Sequence, residues 1–477
     1  VGQEIAESRF RDGDFAEFRR RLDAETEILT GWFRDGCFSA APAVGGYELE
    51  AWLVDAGLRA APVNAAFLDR LGDARVVPEL ARFNVELNGA PRALHGDALA
   101  AMHRELDETW RACARAARTL GVRMLMAGIL PTLRESELCP ANMSALKRYR
   151  ALNEQVLRLR DGRPLHLDIQ GAEHLGTEHR DVMLEAAATS LQIHLQTSPE
   201  RAVRVFNAAL IVSAPMVAAG ANSPYLFGRD LWDETRIPLF EQSVEVGGYD
   251  GASCGPMRRV TFGSDYARES LLECFVENRD HYPVLLPMCS DDPPAALAHL
   301  RLHNGTIWRW NRPLIGFDAG GGAHLRIEHR VVPGGPSTVD AVANAALFYG
   351  LVEALAGRLV PPERDLTFAR ARDNFYAAAR GGLRANVEWL DGRRGSVQAL
   401  LLETLLPAAR RGLLRLELDA ADVDQYLGVI EARVRGARNG AAWQRAWIAA
   451  HGRDFAGLTA AYLEHQETGE PVHTWGW

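Results

Sequence analysis

Four segments of this 477-residue chain alternate polar and apolar residues, and their polar positions could do chemistry. Neighbours on a strand point to opposite faces, so each segment sorts into two sides. Tyr47–Val54 places Glu48 and Glu50 together, with Leu49 opposed. Arg82–Asn88 gathers Asn84, Glu86 and Asn88, and Ala188–Thr197 gathers Gln192, His194 and Gln196. The stretch after Gly322 gathers His324, Arg326, Glu328 and Arg330. Any one such face is ordinary for a half-wet antiparallel sheet. Together they lack the lysine and threonine common on solvated faces. Carboxylates and imidazole ligate divalent cations, and the guanidinium fork matches phosphoryl oxygens. Glu48 beside Glu50 is repulsive unless a cation sits between them. The four faces predict a sheet whose polar side holds metal ions.

The elements that must position these residues follow from periodicity. Residues 1–40 read as an amphipathic helix through Phe15, Phe18 and Leu22. Asp97 reads as the N-cap of a helix to Thr119, and Val122–Ala127 as an apolar strand. Asn142–Leu159 reads as helix, Pro164–Gln170 as strand, and Pro199–Val217 as helix. Residues 220–265 read as a long irregular stretch, of the kind that often carries function. Ser270–Val276 suits a short helix, Gly320-Gly321-Gly322 a hairpin turn, and nearly everything beyond Asp340 an Ala/Leu/Arg-rich helical region. The fold class is α+β. Three parts are expected: an N-terminal helix (1–44), a catalytic body (45–384) and a helical C-terminal region (385–477).

Composition narrows the function classes. A hydrophobic share of 47% and a charged share of 24% exclude wholesale disorder. A net charge of −9 argues against nucleic-acid or anionic-membrane partners and leaves small molecules, with a homodimer left open. Six cysteines without CxxC spacing suit a reducing compartment. The charged start lacks a signal peptide's apolar core, and Pro215 interrupts the apolar run near Ala208–Ala221, so a cytoplasmic location is expected. His299 and His303 have the spacing of a metal pair but no intervening HExxH glutamate, and ordinary histidines are favoured. Cys254 and Cys289 lack a paired histidine, and Trp52, Trp308 and Trp310 suit core packing better than a pocket.

Five short motifs fall in a telling order: Gly46-Tyr47-Glu48-Leu49-Glu50, Phe83-Asn84-Val85-Glu86-Leu87-Asn88, Leu191-Gln192-Ile193-His194-Leu195, Ala221-Asn222-Ser223-Pro224 and Ile327-Glu328-His329-Arg330. Over residues 45–355 the chain resembles the glutamate–cysteine ligase superfamily, in its bacterial carboxylate–amine ligase and plant-type branches. The resemblance implies a glutamine-synthetase-like domain, an antiparallel sheet curved into a funnel with helices outside. It implies ATP- and Mg²⁺-dependent amide formation through an acyl phosphate, with glutamate as acid and cysteine, another amino acid or a peptide as amine. By the same resemblance, Glu48, Glu50, Glu86, His194 and Glu328 would be metal ligands, and Arg330 with Glu328 catalytic. Arg236, Gln192, Asn88 and Arg312 would bind substrate, Arg236 as the clamp on the acid's carboxylate. Trp310 and the region of Pro333 depart from acids found in many relatives. A metal-dependent hydrolase or a non-catalytic nucleotide binder on the same fold are the competing readings.

Overall fold

The structure, a computed structural model, describes residues 9–40, 42–246, 258–318 and 320–476. Eight strands build its main sheet: β1 (Val44–Val54), β2 (Val76–Pro78), β3 (Asn84–Asn88), β4 (Arg92–Ala93), β5 (Arg123–Leu125), β6 (Ser190–Thr197), β7 (Asn311–Phe317) and β8 (Ala323–Pro333). Their order is β7-β8-β6-β1-β3-β2, all antiparallel, with β4 and β5 on opposite ends of β1. The sheet curls into a half-barrel, and its concave side carries the four polar faces.

Seven helices matter for the site: α1 (Asp12–Asp35), α2 (Ala98–Thr119), α3 (Lys147–Leu159), α4 (Pro199–Gly220), α5 (Arg236–Ser243), α6 (Ala298–Gly305) and α7 (Thr338–Ala356). α4 packs on β8, α7 on β6, and the two pack on each other. Both are long and apolar enough to cross a membrane, yet 89% and 94% of their apolar windows are buried in protein. A helix apolar all round is what a two-sided core position demands. The Tyr349 hydroxyl of α7 reaches the carbonyls of Gly46 and His194, at 3.1 and 3.2 Å. A Cβ on Gly45 would stand 2.7 Å from that hydroxyl, so the close approach needs glycine there.

The strand assignments hold with one change of place. Leu165–Gln170 pairs only with His174–His179, in a hairpin apart from the main sheet. α3 starts at Lys147, because Pro140–Asn142 forms a 3₁₀ turn ahead of it. Asp97 precedes α2, but its carboxylate turns to Arg104 and caps no backbone N–H. The stretch 220–265 is less irregular than expected, since it contains α5; residues 247–257, with Cys254, lie outside the described residues. Gly321, at φ +84°, turns the β7–β8 hairpin. The core runs from Phe18 to Trp475 as one cluster, so the C-terminal helices share it with the sheet.

Candidate active site

The curl gathers the polar faces around a cavity of about 540 Å³. Seven carboxylates and five arginines line it, so charge pairing decides what each residue can do. Cross-strand register explains the gathering. Glu50 stands opposite Glu86, Glu48 opposite Gln192, and His194 opposite Glu328.

Two triads result. In one, ligand atoms of Glu48, His194 and Glu328 lie within 4.8 Å of one another; in the other, those of Glu50, Glu79 and Glu86 do. Arg312 grips Glu328 with two bonds, Nε at 2.9 Å and Nη2 at 3.0 Å, and Arg330 adds a third at 3.2 Å. These cations hold the Glu328 carboxyl down at about 2 against the cost of its burial. His194 Nε2 meets Glu48 at 3.4 Å, and its Nδ1 is buried with no hydrogen-bond partner. A buried imidazole between two carboxylates has the surroundings of a metal ligand.

The second triad is held differently. Glu50 accepts from the Ser190 N–H at 2.6 Å and from Gln192 Nε2 at 3.1 Å. Burial, then repulsion from Glu79, still pushes its carboxyl up to about 7. Burial and repulsion from Glu48 push Glu86 well above the ordinary carboxyl range, and burial raises Glu79. Three buried carboxyls facing each other are costly to ionise, and a cation among them removes the cost. Glu185, on a 3₁₀ turn at the cavity wall, is pushed up to about 8 by burial and by Glu79.

Of the four assigned substrate binders, Arg312 and Gln192 line the cavity, and Arg236 and Asn88 lie outside its lining. Arg236 is fully buried and absent from the cavity lining. Its guanidinium donates to Glu234 at 3.2 Å and to the carbonyls of Arg330 and Val331 at 3.1 and 2.6 Å. Those carbonyls sit where β8 shifts register between His329 and Val332. Arg236 therefore clamps a bulge, spending three of its five N–H donors there and on Glu234. Asn88 is also outside the lining, its amide donating to Glu86 at 3.1 Å, which orients that carboxylate. Arg312 lines the cavity but is committed to Glu328. Gln192 does face the cavity; its amide nitrogen holds Glu50 while its oxygen accepts from Arg330.

The bland readings stand elsewhere. His299 bonds Glu25 at 2.5 Å, and His303 donates to the Asn278 carbonyl, its pKa pushed down to about 3 by burial. Trp310 is core and donates to Glu241 at 2.9 Å, Trp52 is core too, and Trp308 alone of the three borders the cavity. Sequence reasoning missed Glu79, Glu185 and Arg148. Glu79 follows a three-residue strand, Glu185 sits in a turn and Arg148 on a helix, so no alternating pattern marks them.

A curled antiparallel sheet brings two triads and several arginines to one cavity, an arrangement able to hold divalent cations and phosphoryl groups. The chain belongs to glutamate–cysteine ligase family 2, whose family model matches residues 44–467. Among solved structures it is similar to a glutamate–cysteine ligase from Francisella tularensis in complex with AMP, with a TM-score of 0.55 and 11% identity over 91% of this chain and 90% of that one. It is also similar to a bifunctional glutathione synthetase from Pasteurella multocida, with a TM-score of 0.53 and 12% identity over 89% of this chain and 52% of that one. No curated protein sequence matches it. Family membership favours the ligase over the hydrolase or the idle binder.

Proposed function

We propose that this ligase uses Mg²⁺ and joins the γ-carboxylate of glutamate to the amine of cysteine through an acyl phosphate. The observation that carries the metal requirement is the donor set. The oxygen-only triad Glu50, Glu79 and Glu86 suits a hard cation, and the buried His194 ring completes the triad of Glu48 and Glu328. Bound Mg²⁺ would draw in the phosphate oxygens and offset the charge of the transferring group.

The residues of the chain do the positioning. Arg312 fixes the plane of Glu328, leaving that carboxylate one orientation toward His194 and Glu48. Gln192 ties Arg330 to Glu50, so the cation reaching for the phosphoryl group is held in register with the second triad. Chemistry of this kind needs in-line placement and charge stabilisation more than covalent help. The γ-phosphate passes to the carboxylate, ADP leaves, and the amine then displaces phosphate. Membership in glutamate–cysteine ligase family 2 supports glutamate and cysteine as the pair, and the Francisella protein of similar fold is itself a glutamate–cysteine ligase.

ADP release with Mg-ATP, measured for single amino acids and then pairs, tests the reading. ADP formed only with glutamate plus cysteine, with a product of dipeptide mass, is the expected result. ADP with a different pair would replace the substrates and keep the reaction; none with any pair would overturn the proposal.

A further inference from the structure

The cavity's five arginines divide by what they touch. Arg312 and Arg330 are held by Glu328 and Gln192, and Arg148 donates to the Tyr149 hydroxyl at 2.6 Å. Arg301 and Arg326 line the same cavity, yet among the described residues neither guanidinium has an ion pair or a hydrogen-bond acceptor. The Nε of Arg326 is shut off from solvent with no partner.

Their placement is fixed by two different elements. Arg326 leaves β8 on the face of Glu328, two residues away and so about 7 Å along the strand. Arg301 comes from α6, its guanidinium 5.4 Å from the centre of the Phe317 ring. The charged groups facing Arg301 are Arg326, which repels it, and Asp292; burial and Arg326 hold its guanidinium below its usual range. Asp292 is itself engaged by the Ser290 hydroxyl at 2.5 Å. Arg326 is half-buried and also faces Glu48, whereas Arg301 stands exposed at the rim, and two like charges converging there favour an anion between them.

The surroundings choose the anion. The α-carboxylate of an amino acid carries an ammonium group on the next carbon, which the same two cations would repel, and the γ-carboxylate of glutamate belongs beside Arg330, where the phosphoryl group is transferred. A phosphate ester has no such neighbour, and its several oxygens match two forks. Leu302 follows Arg301, Leu314 is the strand partner of Arg326, and Ile315 and Trp308 complete an apolar lining beside them, suited to a flat aromatic base.

We propose that Arg301 and Arg326 form the subsite for the non-transferred phosphates of the nucleotide, one strand step from the Glu48–His194–Glu328 triad. This rests on reading the cavity as the ligase site. It also divides the cavity's cations, with Arg330 on the transferring group and this pair on the leaving diphosphate.

ADP and adenosine binding to the wild-type protein, Arg301→Ala, Arg326→Ala and the double variant test it, alongside KM for both amino-acid substrates. The wild type is expected to bind ADP more tightly than adenosine. Each single change should weaken ADP about tenfold, and the double change should erase the preference for ADP. Adenosine affinity and amino-acid KM values should stay within about twofold, adenosine serving as the check on folding. Unchanged ADP affinity with a raised KM for an amino acid would overturn the proposal and make the pair a carboxylate subsite. Unchanged values throughout would overturn it too. A wild-type protein that binds no ADP would instead remove the ligase reading on which it stands.

Discussion

The bulge in β8 decides where Arg330 points. The register shift between His329 and Val332 frees two carbonyls, and Arg236 fills both while pairing with Glu234. A lysine keeps the charge but cannot bridge two carbonyls and a carboxylate with one fixed fork. Arg236→Lys is therefore expected to lower kcat about 100-fold through misplacement of Arg330, with KM for glutamate within about twofold. Steady-state kinetics checks this; a rise in KM alone would restore Arg236 as a substrate clamp. The acid triads make a second prediction. Glu50 and Glu185 have folded-state pKa values of about 7 and 8, above the ordinary carboxyl value of 4.5. The native state then holds protons that the unfolded chain has lost, so metal-free stability falls as pH rises from about 4.5 through 8. Thermal unfolding without divalent cations should show that fall, and added Mg²⁺ should raise Tm more at pH 8 than at pH 5. A Tm gain from Mg²⁺ that does not grow with pH would contradict the assignment. At this scale, residues on alternating strands were legible: Glu48, Glu50, Glu86, Gln192, His194, Glu328 and Arg330 all converge. For Arg236 the bonds to two backbone carbonyls were not legible, because they are set by a tertiary contact that its local sequence does not encode.

Among the elements, α1 and α6 form a coupled pair. α6 begins after Leu297, which has φ +52°, and none of its own side chains caps it. Glu25 of α1 takes over, accepting from the Leu300 N–H at 2.8 Å and meeting His299 Nδ1 at 2.5 Å. His299 Nε2 in turn accepts from the Ser290 N–H at 3.0 Å, which ties down the loop bearing Asp292. A helix outside the family match of residues 44–467 thus fixes one wall of the cavity, including Arg301. Glu25→Ala leaves the buried Leu300 N–H and the His299 Nδ1 unpaired, and should cost about 3 kcal/mol in chemical denaturation. A loss under about 0.5 kcal/mol, within the range of ordinary surface changes, would mean that α1 is not a brace. Periodicity revealed the sheet strands and the long helices, whose patterns run for many residues. It did not reveal α5, an eight-residue helix buried on nearly every side, or that Leu165–Gln170 pairs outside the main sheet. Pairing partners are set by tertiary contact, which a strand's own alternation does not encode.

For the whole molecule, one core joins regions far apart in sequence. Arg433 is buried and bonds Asp340 at 2.7 Å and Asn344 at 2.6 Å, pinning a C-terminal helix to α7. Trp475 packs edge-on against Trp443 and Tyr462, which accounts for the aromatic tail through packing. The C-terminal region thus buttresses α7, which backs the β1–β6 pair carrying Glu48, Glu50, Gln192 and His194. The scaffold is expected to activate a carboxylate as an acyl phosphate before the amine attacks. Glutamate labelled with ¹⁸O in its γ-carboxylate tests it in a single turnover assay with Mg-ATP and cysteine. The oxygen that attacks the γ-phosphate leaves with phosphate when the amine displaces it, so one ¹⁸O per amide formed should appear in inorganic phosphate. Amide formation with no label in the phosphate would contradict the account, because the carboxylate would then never have bonded to phosphorus.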